Sequence, residues 1–122
     1  MNNKSIIDKT TGLISGKPYF EISSSSLSTI QAVYSTAVIS SSGWRFIAAG
    51  SGEEDFSTEL NPDVAPLVFA MACAIADHFY EQSDKISGCT RIALCCDSRP
   101  TGPDIASIIM RELCAKGIEV CY

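Results

Sequence analysis

The chain has 122 residues and a mass of 13.1 kDa, enough for one domain with its own core and short for a complete multi-step enzyme. With 46% hydrophobic and 19% charged residues, its composition is that of a globular domain rather than a disordered one. A formal charge of -5 and a pI near 4.7 repel polyanions, and Arg45, Arg91, Arg99 and Arg111 form no run that could track a phosphodiester backbone, so nucleic acid is not an expected partner.

In chain order, residues 1–34 read as an N-terminal extension with at most short structure. Gly12, Gly16 and Pro18 interrupt it, and a serine-rich run, SSSSLS at 23–28, follows. Lys4 and Lys9 precede no apolar stretch of signal-peptide type. The domain proper is taken as 35–122. STAVIS (35–40) is a β-branched run and an expected strand, and SSSGWRF (40–46) breaks it. FIAAGSGEEDF (46–56) then gives a second short apolar piece, a Gly-Ser-Gly turn and an acidic surface loop.

From Asn61 the pattern predicts a helix to about Gln82. Asn61 serves as the cap, Pro62 suits the first helical position, and Asp63 faces the positive end of the dipole. Val64, Leu67, Val68, Met71, Ile75 and Phe79 recur at helical spacing and form its buried stripe. The longest apolar run, Leu67 to Ala76, is bounded by Pro66 and Asp77 and is shorter than the roughly 20 residues of a membrane span. No membrane association is expected, and the location is read as cytoplasmic.

RIALCC (91–96) is apolar enough for a strand covered on both faces. Thr101 with Asp104 has capping-box spacing for a helix whose buried face is Ile105, Ile108, Ile109 and Leu113; losing that cap in Thr101→Ala would cost about 1 kcal/mol. Gly117 stops this helix, and IEVCY (118–122) begins another strand. Strand, helix and strand with short connections predict a right-handed βαβ unit with parallel strands, hence an α/β fold. A chain that closes on a strand leaves an open sheet edge, through which self-association is expected.

Six cysteines raise the question of disulfides or metal. There is no CxxC pair, His78 is the single histidine, and Cys95 and Cys96 are adjacent in an apolar strand, where their side chains point to opposite faces. The cysteines therefore read as small buried thiols of a reducing compartment, with no metal site.

Ligands of open α/β sheets gather beyond the carboxyl ends of the strands. There Asp97 and Arg99 leave the strand and Thr101 opens the helix, so an arginine, a hydroxyl and backbone amides could converge on an anion. Equally, Asp97 and Arg99 could pair with their neighbours and hold the strand end in shape. Only Gly102 stands where a dinucleotide fingerprint needs several glycines. The second candidate is SSSGWR (40–45), in which Gly43 lets the backbone bend, Ser41 and Ser42 offer hydroxyls and amides, and Arg45 supplies a fixed cation.

Together, SSSGWRF, the helix LNPDVAPLVFAMACAIADHF, the loop RIALCCDSRPTGPDIA and MRELCAKGIEVCY resemble the first domain of the α-D-phosphohexomutases, the phosphoglucomutase and phosphomannomutase superfamily. Members carry a GTSGxRG motif, then a helix, then a strand ending in DxRxSG. The resemblance covers roughly 35–122. In the first motif Ser40 replaces a glycine, Ser41 a threonine and Phe46 the closing glycine.

The resemblance implies a three-layer α/β/α fold with a mixed, mostly parallel sheet, here incomplete at its C-terminal end. It implies phosphoryl transfer between a phosphoserine and a hexose phosphate through a bisphosphorylated sugar. Carried over, Arg45 is the catalytic arginine, Ser41, Ser42 and Arg45 bind substrate, and Asp97, Arg99 and Thr101 form the active-site scaffold. Mg2+ is the family cofactor, but no stretch here resembles its DGDxDR loop, the TASHNP phosphoserine loop or the GEMSGH sugar loop. The expectation is the N-terminal part of such an isomerase, inactive alone and binding hexose phosphate weakly. The alternative from another class is a free-standing α/β module that completes its sheet with a partner chain. A small phosphate-binding or flavodoxin-like domain ranks last.

Overall fold

A computed structural model describes residues 6–7, 14–15, 24–50, 59–83 and 91–122. Two short strands, β1 (Ile6–Ile7) and β2 (Ile14–Ser15), pair antiparallel. The helix α1 (Ser24–Thr36) follows, then an antiparallel hairpin of β3 (Val38–Ser40) and β4 (Gly43–Arg45). The helix α2 (Ala65–Ser83), β5 (Arg91–Ala93), α3 (Gly102–Ala115) and β6 (Glu119–Cys121) complete the order, with β5 and β6 parallel.

The architecture is mixed α/β, and the strand–helix–strand unit is present with its parallel pairing. The strands among the described residues form three separate pairs rather than one mostly parallel sheet. No helix among the described residues is long and apolar enough to cross a membrane.

The packing centre is α2 against α3. One cluster joins Ala48, Val64, Val68, Phe69 and Ile108; a second joins Ala76, Leu113, Ile118 and Val120, and Ile109 packs against both. The α2 stripe is wider than its large apolar residues suggest. Phe69, Ala72 and Ala76 are buried, whereas Met71, Ile75 and Phe79 are only half-buried. Small alanines let the helices approach closely while the longer side chains sit at the flanks of the contact.

Gly117 ends α3 as expected, at φ +82. Its N–H donates to Cys114 O and that of Ile118 to Leu113 O, each at 3.0 Å, which is the paired pattern of a Schellman motif. The contact between Ile118 and Leu113 closes it.

Several local expectations are corrected. The helix α1 begins inside the stretch read as an extension with at most short structure and runs past its boundary, so Ser35 and Thr36 are helical and the strand is only Val38–Ser40. Leu27, Ile30, Val33 and Tyr34 recur at helical spacing, and Val33 packs against the first core cluster, which outweighs the modest helix propensity of the serines. The helix after Asn61 starts at Ala65 because Asn61 Oδ1 accepts the Asp63 N–H at 3.0 Å, making a side-chain-closed turn that holds Pro62 outside the helix.

The strand β5 is not covered on both faces: Arg91 and Ala93 are exposed and Ile92 is half-buried. Cys95, Cys96 and Cys121 are exposed free thiols rather than buried ones, and Cys73 and Cys114 are intermediate. Thr101 is buried in a right-handed helical conformation and makes no side-chain cap hydrogen bond, so the capping box with Asp104 does not form. The acidic stretch 51–56 and the connection 87–89 lie outside the described residues.

Candidate anion-binding site

The hairpin of β3 and β4 sets one wall. Its register pairs Val38 with Arg45, Ile39 with Trp44 and Ser40 with Gly43, leaving Ser41 and Ser42 as the turn. Gly43 lies at φ +140, a region that side-chained residues rarely adopt, so the glycine absorbs the reversal that neither serine takes up. The Ser40 and Ser42 hydroxyls are 2.9 Å apart, and Ser40 Oγ also donates to Gly43 O at 3.2 Å. Side chains alternate along the strand. Val38 and Arg45 therefore face one way, into a cavity of about 790 Å³, and Ile39 looks the other way into an apolar groove of about 220 Å³; Trp44 lines both.

The opposite wall of the larger cavity is the connection from β5 to α3. Cys95, Cys96, Asp97, Arg99, Thr101 and Gly102 all line it. Asp97 closes this loop on itself: Oδ1 accepts the Arg99 N–H at 3.1 Å and Oδ2 meets Arg99 Nε at 3.2 Å. Both side chains are more than half exposed, so the pair shapes the loop and contributes little to stability. Pairing thus accounts for the acid and arginine at the strand end, while also placing them on the cavity rim.

The structure brings Arg45 to the same cavity as Asp97, Arg99 and Thr101. It does not bring Ser41 and Ser42 there. They occupy the turn at the far end of β4 from Arg45, and a strand advances roughly 3.3 Å per residue, so serines and guanidinium diverge. A loop wrapping an anion would keep them together; a paired strand separates them.

The start of α3 offers few amides to an anion. Gly102 N–H is committed to Arg99 O at 3.0 Å, Ile105 N–H to Thr101 O at 3.1 Å, and Pro103 has none, which leaves Asp104 beside its own carboxylate. Charge in the cavity therefore rests on side chains. Among the described residues Asp97 is the one acidic side chain that lines it and is paired with Arg99, while Arg45 is exposed and makes no ion pair. Among the described residues the local balance is one uncompensated cation, in a chain of net charge -5.

Two lining residues carried no expectation of function, Cys95 and Cys96. Cys96 Sγ lies 3.0 Å from Tyr122 Oη, and the hydrogen bond to Cys96 is the main cause that raises the tyrosine phenol above its ordinary value. The signal was the cysteine pair at a strand's carboxyl end, which reads as core when the strand is taken to be covered on both faces. Among the described residues no group of three or more His, Cys, Asp and Glu side chains could hold a metal ion. The donors among the described residues do not fit Mg2+, which takes oxygen ligands and several waters around a carboxylate or two. No protein-family model, curated protein or solved structure matches the chain.

Proposed function

We propose that the cavity between β4 and the loop from β5 to α3 binds the phosphate group of a hexose phosphate, and that the chain supplies the arginine-bearing wall of a phosphohexomutase-type site. The observation that carries this reading is the meeting of Arg45 with Asp97, Arg99 and Thr101 around one cavity of about 790 Å³. These are the residues on which the two motif resemblances converge, and they lie far apart in sequence. The three-layer, mostly parallel arrangement belongs to the same proposal, with further strands joining the parallel pair of β5 and β6.

The chemistry is consistent with the residues present. Phosphoryl transfer is catalysed chiefly by positioning and by positive groups around spread negative charge. Arg45 offers a planar fork for two phosphate oxygens, Thr101 adds a hydroxyl on the cavity wall, and the pairing of Asp97 with Arg99 keeps a carboxylate from competing for Arg45. The 122 residues hold no nucleophile loop and no metal loop of the family type, so no transfer step is assigned to them and the chain alone does not isomerise hexose phosphates.

Two charge-assisted hydrogen bonds from Arg45 contribute about 3–6 kcal/mol, against about 4 kcal/mol for millimolar affinity. Titrating the isotope-labelled chain with glucose 1-phosphate to about 10 mM, followed by backbone and arginine side-chain NMR, tests this. Arg45, Asp97, Thr101 and Gly102 are expected to shift together, and Arg45→Gln to abolish the response. Shifts confined to other surfaces, or an unchanged response in Arg45→Gln, would overturn the assignment.

A second reading, a module that completes its sheet with a partner chain, is favoured by one observation: Arg91 and Ala93 of β5 are exposed and only Ile92 is half-buried although the pair is parallel, and parallel sheets are normally covered. Concentration-dependent shifts along β5 in the absence of sugar phosphate would mark it.

A further inference from the structure

We propose that the cavity between β4 and α3 also binds a small uncharged aromatic alcohol, of the chemical class of phenols, with its hydroxyl on Thr101 and its ring against the isoleucines of α3. The observation that points to a ligand is Thr101 itself. The residue is 2% exposed and lines the cavity, yet its side chain makes no cap hydrogen bond and finds no other partner among the described residues. A buried hydroxyl is costly to leave unpaired, and buried polar groups in folded proteins are nearly always satisfied. Its own helix supplies no partner beside it. Thr101, Ile105 and Ile109 follow at four-residue spacing, so they stand in one row along α3, and all three line the cavity.

The rest of the wall is apolar and incompletely covered. Phe46, Met71 and Leu94 line it with Ile105 and Ile109, and all five are half-buried although they are large and apolar. Among the described residues the charged side chains that line the cavity, Arg45, Asp97 and Arg99, are exposed and stand at its mouth. A ligand that covers this wall is therefore apolar over most of its surface and carries one hydrogen-bonding group for one hydroxyl. It is uncharged, because a charge carried past the mouth would be buried without a counter-charge. Trp44 and Phe46 both line the space, which favours an aromatic ring over an aliphatic chain.

Binding is non-covalent and has two parts. The phenol oxygen exchanges one hydrogen bond with Thr101 Oγ1, which satisfies the hydroxyl that the chain leaves unpaired, and the ring takes the half-buried side chains out of water. A cavity of about 790 Å³ is of the size usual for small-molecule sites and admits one such molecule. The proposal does not rest on the sugar-phosphate reading, which is carried by the charge of Arg45.

The test uses the whole 122-residue chain with isotope-labelled Ile, Leu, Met and Thr methyl groups, titrated with 4-methylphenol and separately with toluene, which has the same ring and no hydroxyl. With 4-methylphenol the methyls of Thr101, Ile105, Ile109 and Met71 are expected to shift together and to saturate by about 5 mM. In Thr101→Val, which keeps the shape and removes the hydroxyl, affinity for 4-methylphenol should fall about fivefold while that for toluene stays level. The same variant should unfold in urea no more easily than the parent chain, since the hydroxyl it removes has no partner to lose. Shifts that do not saturate, shifts centred on Ile30, Ile39 and Leu67 of the smaller groove, or an equal effect of Thr101→Val on the two probes would each overturn the proposal. A clear loss of stability in Thr101→Val would overturn it too, because the hydroxyl would then already have a partner, such as a bound water. A response to 4-methylphenol without one to glucose 1-phosphate sinks the functional reading alone, and the converse result sinks this one alone.

Discussion

Glu112 is the most informative residue to change in the core. It is 1% exposed on α3, its Oε1 accepts a hydrogen bond from Cys73 Sγ at 3.4 Å and lies 4.0 Å from Lys116 Nζ, and its Oε2 is buried with no partner among the described residues. Glu112→Leu keeps most of the side-chain volume and removes the carboxylate. What is lost is small: an i,i+4 ion pair at the edge of contact distance, with a half-exposed lysine, stabilises by about 0.3–0.5 kcal/mol, and a thiol is a weak donor. What is relieved is larger, since an unsatisfied buried polar atom costs about 1–3 kcal/mol. The substitution is expected to stabilise the chain by about 0.5–2 kcal/mol, in line with the gains seen when buried charges give way to apolar residues. At about 4 °C per kcal/mol for a domain of this size, the thermal midpoint rises by roughly 2–8 °C, read by calorimetry or circular dichroism. Glu112→Gln, which retains an acceptor for Cys73, should fall between the two. A loss of more than about 1 kcal/mol in Glu112→Leu would refute the reasoning, because it would mean that Oε2 has a strong partner.

The remaining predictions concern the same helix and its end. Burial first, then the hydrogen bond and charge of Glu112, push the Cys73 thiol up from 9.0 to about 11. Stability from the neutral thiol is complete below its ordinary value and is lost as pH climbs from near 9 towards 11; discounted for its partial exposure, the alkaline loss is about 1 kcal/mol, and Cys73→Ala should flatten it in urea titrations. Gly117→Ala should cost about 1–2 kcal/mol, because the left-handed backbone is strained for a side-chained residue while the added Cβ meets only Tyr80 Oη at an ordinary 3.6 Å. Chemical denaturation checks the magnitude, and a larger loss would point to a clash instead.

What could be read from the sequence followed how directly each residue reports its own backbone. Gly117 announced the end of α3 because only a left-handed position makes glycine useful there; of the expected buried face Ile105, Ile108, Ile109 and Leu113, Ile108 and Leu113 are buried and Ile105 and Ile109 half-buried, while Ala106 and Glu112 are buried as well. The parallel pairing of β5 with β6 followed from a short helical crossover. On α2 the pattern pointed to large residues, but the buried line runs through Ala72 and Ala76, whose small side chains carry no amphipathic signal of their own and matter because α3 lies against them. The helix α1 was hidden by its composition: serines suggest a linker, and the spacing of Leu27, Ile30, Val33 and Tyr34 becomes decisive only when α2 is there to receive it. Thr101 had capping spacing and does precede α3, yet its backbone is right-handed helical and its side chain makes no cap hydrogen bond.

The cavity shows the same division at the level of the site. Its chemistry was visible as residue types, since arginine, aspartate and threonine each have few reasons to stand at strand ends, but which of them cooperate depended on pairings that only the folded chain decides. Forming the β3–β4 hairpin turned Arg45 towards the loop after β5 and carried Ser41 and Ser42 away from it. Closing the Asp97 turn on Arg99 then neutralised one of the two arginines. The uncompensated charge that remains belongs to Arg45. The sugar-phosphate binding proposed above draws on it. A lysine at position 45 would keep the charge but not the planar fork. The glucose 1-phosphate response, which needs two aligned donors, should then weaken in Arg45→Lys, followed by NMR titration. An unchanged response in Arg45→Lys would show that the planar fork plays no part.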